Sequence, residues 1–157
     1  MSAITILGVD PGSQANGYAV LRKDGQLLQA LAYGVIRPKR GLNFAFKLKH
    51  ISDELTAIIQ QHRPTILSIE EAFFATNAKS ALRLGEIRGA AMLTACMQNM
   101  DVAQYPPTVI KQSITGYGRA SKGQMQDMVK MLLKLEETPE SDAADALAAA
   151  ICHAWHL

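Results

Sequence analysis

Residues 4–13 read ITILGVDPGS, and this stretch is expected to form the first strand of the sheet and the turn that follows it. Residues 4–9 are apolar apart from Thr5, and Asp10-Pro11-Gly12 follows as a turn sequence. An apolar run of this length bounded by turn residues predicts a short buried strand. A carboxylate at the end of such a strand is costly to bury without a partner. Asp10 is therefore a candidate functional residue.

The sequence on either side of this strand predicts a mixed α/β domain. A second strand at 17–22, the hairpin signal Asp24-Gly25 and a third strand at 26–37 indicate an antiparallel meander. Apolar residues then recur at helical spacing over 43–62, and strand-like runs return further on. This order predicts a mixed five-stranded sheet with helices on both faces, in one domain over 1–157. The other predicted elements are strands at 65–69 and 101–105, helices at 77–99, 108–113 and around 125–133, a flexible basic loop at 115–123, and a last helix from Ser141 to about Trp155.

Composition narrows the class of protein. The chain has 157 residues, 48% of them hydrophobic, which is enough for a buried core. No apolar run approaches the roughly 20 residues of a membrane-spanning helix, and the first residues do not resemble a secretory signal. The two cysteines, Cys96 and Cys152, lie in apolar helical stretches and match no zinc pattern with the histidines. We therefore expect a cytoplasmic protein with no membrane association and two buried, reduced cysteines.

Charge is distributed unevenly along the chain. Residues 37–134 contain 14 Lys and Arg against 7 Asp and Glu, whereas residues 135–157 contain 5 acidic residues and no Lys or Arg. A basic middle segment indicates a polyanionic partner such as nucleic acid, although a solvated surface would also explain it. The acidic end fits a nucleic-acid-binding protein if its carboxylates hold a metal ion that contacts phosphate.

Four carboxylates stand where strands end or a helix begins. Glu70 ends a predicted strand as Asp10 does, and Asp142 and Asp145 are three residues apart on one face of the last helix. Oxygen ligands from several elements, without a His or Cys set, suit Mg²⁺ or Mn²⁺. Two such ions can stabilise the attacking and leaving oxygens of a phosphodiester displacement. The alternatives are a simple turn at Asp10, a pairing of Glu70 with a distant Arg, and a helix-terminal charge at Asp142.

Four segments of the chain form a recognisable pattern in order and spacing: ILGVDPGSQANGYAV (6–20), SIEEAFFATNAKSALRLGEIRGAA (68–91), VIKQSITGYGRASKGQMQDMV (109–129) and SDAADALAAAICH (141–153). With these segments the sequence resembles the RuvC-type Holliday junction resolvases, which have the ribonuclease H-like fold. The likeness covers nearly the whole chain. It implies a magnesium-dependent endonuclease that resolves four-way DNA junctions in recombination and repair by symmetric cuts, leaving 5′-phosphates and 3′-hydroxyls.

The resemblance also implies roles for individual residues. The four carboxylates match the family's catalytic metal ligands, which are expected to hold two Mg²⁺ ions per active site. Mn²⁺ is expected to substitute for Mg²⁺. Lys111 and Lys122 match basic residues that contact DNA near the scissile phosphate, and Lys122 is also a catalytic candidate. Phe73 matches an aromatic residue that stacks at the opened junction core. The remaining DNA-contact candidates are Phe74, Arg119 and Lys79, with Arg83 and Arg88 assigned either to DNA contact or to a dimer surface.

A four-way junction has two symmetric strands to cut, and a two-fold dimer would supply two active sites that match this symmetry. The family pattern implies a homodimer. The helix around 77–95 is the expected interface, since its small residues would permit close approach; tight packing on its own sheet is the alternative. These residues are Ala78, Ala81, Gly85, Gly89, Ala90 and Ala91. A branch-migration motor of the RuvA and RuvB type is a further implied partner.

Other functions remain open from the sequence alone. Phe73 and Phe74 could anchor the core, and the lysines could be ordinary solvated surface. A nuclease of the same fold could cut RNA–DNA hybrids or other branched DNA, and a junction-binding scaffold could have lost catalysis. The turn at Asp10 also resembles the phosphate loop of actin- and hexokinase-type ATPases, but 157 residues leave no room for their second lobe.

Overall fold

The computed structural model describes residues 2–71, 77–116 and 118–157. Five strands form one sheet in the order β3-β2-β1-β4-β5. The first three strands are an antiparallel meander, and β4 and β5 continue the sheet in parallel to β1. The elements are β1 (Ile4–Asp10), β2 (Asn16–Asp24), β3 (Leu27–Ile36), α1 (Phe44–His62), β4 (Ile66–Glu70), α2 (Ala78–Met97), β5 (Asp101–Tyr105), α3 (Pro107–Thr115), α4 (Lys122–Leu133) and α5 (Ser141–His156).

Each face of the sheet carries its own apolar core. Alternate residues of β1 point to opposite faces, so Ile6 packs with α3, α4 and α5, whereas Leu7 and Val9 pack with α1 and α2. The predicted mixed five-stranded sheet with helices on both faces is confirmed. None of the helices that the structure describes is long and apolar enough to cross a bilayer.

The segment predicted as a loop over 115–123 is shorter than expected. Helix α3 continues to Thr115 and ends at Gly116, whose φ of 85° closes the helix in the left-handed region. Helix α4 already begins at Lys122, where Ser121 and Gln124 form a reciprocal capping box. Gly123 is therefore a helical residue, and Lys122 lies in a helical first turn instead of a flexible loop.

The two cysteines differ in environment. Cys152 is buried in α5, as expected, but Cys96 is exposed on α2. The prediction for Cys96 is wrong because α2 packs against the sheet along one side only, and position 96 faces away from that side.

Candidate active site

Asp10 and Glu70 lie side by side at one edge of the sheet. Strands β1 and β4 are parallel neighbours that pair Val9 with Ile69. Asp10 and Glu70 are the next residues, so both strands deliver a carboxylate at the same end. Both side chains are half-buried.

Helix α5 brings the other two carboxylates to this edge. Gly17 pairs with Asp10 across β1 and β2, and a Cβ atom at Gly17 would overlap the carbonyl oxygen of Asp142. A Cβ at Gly8 would likewise overlap the carbonyl oxygen of Ala146. The two glycines therefore let the α5 backbone lie directly on the sheet. The first turns of α5, which contain Asp142 and Asp145, reach Asp10 for this reason.

Burial and mutual repulsion perturb these acids. Burial, reinforced by Asp145, Asp142 and Glu70 and by a hydrogen bond with Asp142, raises the pKa of Asp10 to about 8. Burial also raises the pKa of Asp145 to about 6, against the lowering influence of Lys122. The pKa of Glu70 is raised by burial and by Asp145. Burial and the neighbouring carboxylates therefore both disfavour ionisation of these three acids in the absence of a cation.

We expect the metal-free protein to lose stability as this charge develops. Because the pKa of Asp10 is about 8 when folded and 3.8 ordinarily, the folded state retains a proton that the unfolded state loses over that range. The stability contribution is therefore present below about pH 4 and is lost as pH rises through about 8. In EDTA, Asp10→Asn should melt at least about 3 °C above the native chain at high pH, and the gap should close toward low pH. Circular dichroism melts over this range test the prediction, and a gap independent of pH would contradict it.

Two lysines share a cleft with the four carboxylates. The cleft has a volume of about 570 Å³, and Lys111 of α3 and Lys122 of α4 line it. Both lysines lower the pKa of Asp145, and Lys111 also lowers that of Glu70, so their charges lie near the acids. The six side chains that the sequence singled out most strongly are therefore brought together from β1, β4, α3, α4 and α5.

Arg88 also lines this cleft, which the sequence did not predict. It was assigned to DNA contact or a dimer surface, yet it is only 7% exposed. Its Nε and Nη2 donate to the carbonyl oxygen of Glu70 at 3.1 and 2.9 Å, and Nη2 also donates to Gln104 Oε1 at 2.7 Å. Arg88 thus ties α2 and β5 to the backbone of a candidate catalytic residue. Its spacing of three residues from Ala91, which is buried on the sheet side of α2, was the available signal.

We expect Arg88→Met to impair cleavage more than DNA binding. The change removes charge-assisted hydrogen bonds worth about 1.5–3 kcal/mol each and frees the Glu70 backbone to shift. The rate at saturating junction should fall roughly 10- to 100-fold, with the Kd for the junction changed less than about threefold. Arg22→Met is the matched control, since Arg22 is an exposed arginine on β2 that pairs with Asp24. A parallel loss of binding and rate in both variants would contradict a positioning role.

Not every predicted residue reaches the cleft. Lys79 and Arg119 are exposed and do not line it. Phe73 and Phe74 lie outside the described residues. Glu70 forms no ion pair within the part of the chain that the structure describes; the arginine near it contacts its carbonyl oxygen instead.

The donor set fits a divalent cation by its chemistry. No three His, Cys, Asp or Glu side chains in the described ranges already surround one ion position. The carboxylates are nevertheless hard oxygen ligands, and the pKa values of Asp10 and Asp145 are raised by burial and by neighbouring carboxylates, both of which disfavour negative charge that a cation would offset.

This fold and this cleft define a class: a ribonuclease H-like sheet with clustered carboxylates beside lysines is the architecture of nucleases that hydrolyse phosphodiester bonds. Comparison with known proteins narrows the class. Residues 6–153 match the family model described as "Crossover junction endodeoxyribonuclease RuvC". The chain therefore belongs to the RuvC family of crossover junction endodeoxyribonucleases.

Individual relatives agree with this assignment. A RuvC from Pseudoalteromonas atlantica is 48% identical over 148 residues, covering 94% of this chain and 85% of that protein. A RuvC from Heliobacterium modesticaldum is 45% identical over 155 residues, covering 98% and 96%. The structure of T. thermophilus RuvC in complex with Holliday junction substrate superposes with a TM-score of 0.91 at 29% identity, covering 98% of this chain and 94% of that one.

Proposed function

We propose that this chain resolves four-way DNA junctions by cutting two symmetric strands, with Asp10, Glu70, Asp142 and Asp145 holding the divalent cations. The observation that carries the proposal is the convergence of these acids with two lysines in one cleft, in a member of the RuvC family. Mg²⁺ is the proposed cation, with two ions per site and Mn²⁺ as a substitute.

The chemistry is hydrolysis of a phosphodiester. Bound divalent cations would polarise the phosphate and favour deprotonation of the attacking water. The water oxygen bonds to phosphorus, the bond to the 3′ oxygen breaks, and the 3′ oxygen gains a proton. The products are a 5′-phosphate and a 3′-hydroxyl. Lys122, near Asp145, places positive charge where negative charge develops on the phosphate, and Lys111 does so near Glu70.

The segment after β4 is proposed to recognise the junction centre. Phe73 follows Glu70 by three residues in the sequence, and the resemblance to the RuvC family supports a role for it in stacking at the opened junction core. An aromatic side chain there can stack on a base that the open junction leaves unpaired. Lys79 and Arg119, which are exposed, are proposed as DNA contacts of the surrounding surface, and Phe74 is proposed as a further DNA contact from the resemblance alone.

A homodimer through α2 is proposed because the exposed side of this helix carries large apolar side chains, with Glu86 as a charged residue among them. Leu82, Leu93 and Met97 are 68%, 61% and 71% exposed, and no atom of the described residues lies within 4 Å of a Cβ built at Gly85 or Gly89. The spacing of these five positions keeps them on one face of the helix. Ala91 does not belong to this face, because it is buried against the chain's own sheet. A two-fold axis across α2 would give two active sites for the two strands to be cut.

We expect Leu93→Glu to weaken the dimer, because it places a carboxylate within an apolar interface. Sedimentation at micromolar concentration should show a monomer, and coordinated cutting of both strands should be lost. Leu27→Glu is the matched control, since Leu27 is equally exposed but lies on the edge strand β3. A native chain that is already monomeric, or a Leu93→Glu dimer, would exclude α2 as the interface.

A substrate panel tests the proposed function against its alternatives. Equal amounts of four-way junction, linear duplex, RNA–DNA hybrid and flapped DNA should be incubated with Mg²⁺ at one salt concentration, because affinity for DNA depends steeply on salt. We expect preferential cutting of the junction. Preference for the hybrid would favour a ribonuclease of the same fold, and binding without any cutting in Mg²⁺ or Mn²⁺ would favour a scaffold.

The resemblance further supports a branch-migration motor of the RuvA and RuvB type as a partner, and the cytoplasm as the site of action. It likewise supports a single nuclease domain spanning 1–157.

A further inference from the structure

A second cleft lies beside the active site and is lined by positive charge. It has a volume of about 570 Å³, and its polar lining consists of Ser13, Gln14, Arg37, Arg40 and Lys47. None of the described residues that line it carries a carboxylate. We call it the Arg40 cleft.

The Arg40 cleft is formed by two well-anchored segments. On one side, the turn after β1 is fixed by Asn16, which is 1% exposed and accepts a hydrogen bond from the Gly12 amide at 3.0 Å. On the other side, the chain leaves β3 at Ile36 and reverses at Gly41, whose φ of 82° favours glycine. It then enters α1, where the Asn43 side chain caps the helix. The cations therefore project from a supported surface.

The charge of this cleft is largely uncompensated. Residues 25–52 contain five Lys and Arg and no Asp or Glu. Arg37 forms an ion pair with Glu140, but Arg40 and Lys47 have no ion pair among the described residues. A concave surface lined by one sign of charge concentrates the field and attracts counter-charge.

The position of the cleft identifies the occupant. Pro11 lines the active-site cleft, and Ser13 to Ala15 of the same turn line the Arg40 cleft, so the two clefts are separated only by this turn. We propose that the Arg40 cleft binds backbone phosphates of a DNA arm as it leaves the active site. Guanidinium groups pair with phosphate oxygens in a bidentate manner, and the Lys47 ammonium and Ser13 hydroxyl add donors. This inference rests on the proposed function and adds a binding site to it.

The salt dependence of junction binding tests this site. Each phosphate contact contributes about 0.9 to the slope of log K against log salt. We expect Arg40→Gln/Lys47→Gln to lower that slope by about 2, because two contacts are lost. The control Lys130→Gln/Lys134→Gln removes the same charge from the end of α4 and should keep the native slope. If the Gln variant folds poorly in a melt, Arg40→Lys/Lys47→Arg keeps both charges and should retain a near-native slope.

The outcomes separate this inference from the proposed function. A native slope in Arg40→Gln/Lys47→Gln, or an equal reduction in the control, would overturn the phosphate site even if the native protein cuts junctions. Failure of the native protein to cut any junction would instead count against the proposed function, whatever the slopes.

Discussion

Asp10→Asn is expected to lower the rate of junction cleavage about 1,000-fold or more at saturating DNA, a loss of about 4 kcal/mol of transition-state stabilisation. Asp10 has three carboxylate neighbours, and replacing it removes one of the four proposed metal ligands while keeping a side chain of nearly the same size. The variant should fold and bind junctions, since burial of a neutral amide costs less than burial of a repelled carboxylate. Single-turnover cleavage in Mg²⁺, with binding measured in Ca²⁺, separates the two effects.

The control for this variant is Asp24→Asn, an exposed carboxylate at the end of β2. It should cut at the native rate. Mg²⁺ should also raise the melting temperature of the native chain more than that of Asp10→Asn, because a cation that binds only the folded state stabilises it. A native cleavage rate in Asp10→Asn would contradict the proposed site.

Gly17→Ala is the second large effect, and it acts through packing. The added methyl group would overlap the Asp142 carbonyl oxygen, and neither backbone can yield without moving α5 from the sheet. Overpacking of this kind costs about 1–3 kcal/mol, or roughly 4 °C or more in melting temperature. Cleavage should fall at least about tenfold at a temperature where the variant is folded, because Asp142 and Asp145 move away from Asp10.

Gly123→Ala is the matched control for the glycine variant. Within the part of the chain that the structure describes, no atom lies within 4 Å of a Cβ at Gly123, and the position is helical, where alanine is preferred by about 1 kcal/mol. It should melt at or above the native temperature. If Gly17→Ala matches the native protein in melting and cleavage, close contact between α5 and the sheet is not what assembles the site.

Local signals predicted much of the fold. The hairpin signal at Asp24-Gly25 depends on nearby residues, and it is confirmed by the pairing of β2 with β3. The start of α4 at Lys122 was missed because glycine usually marks a loop, whereas Ser121 and Gln124 together nucleate a helix that includes Gly123. The capping box of Ser121 and Gln124 therefore outweighs the low helix propensity of Gly123.

The candidate site was likewise predictable only in part. The strand-end positions of Asp10 and Glu70 indicated chemistry, but their side-by-side placement depends on parallel pairing of β1 with β4, which is set by contacts distant in sequence. Arg88 was missed because an arginine on a helix is ordinarily exposed. Its burial depends on the Glu70 carbonyl oxygen and the Gln104 side chain, partners that only the folded sheet places within reach.

Mapping the cuts on a synthetic four-way junction in Mg²⁺ is the decisive test of symmetric junction cleavage at the carboxylate site. We expect paired nicks at symmetric positions on two opposed strands, with 5′-phosphate and 3′-hydroxyl ends, and loss of both nicks in Asp10→Asn. Cleavage of single strands without symmetry, or cleavage that persists in Asp10→Asn, would contradict it.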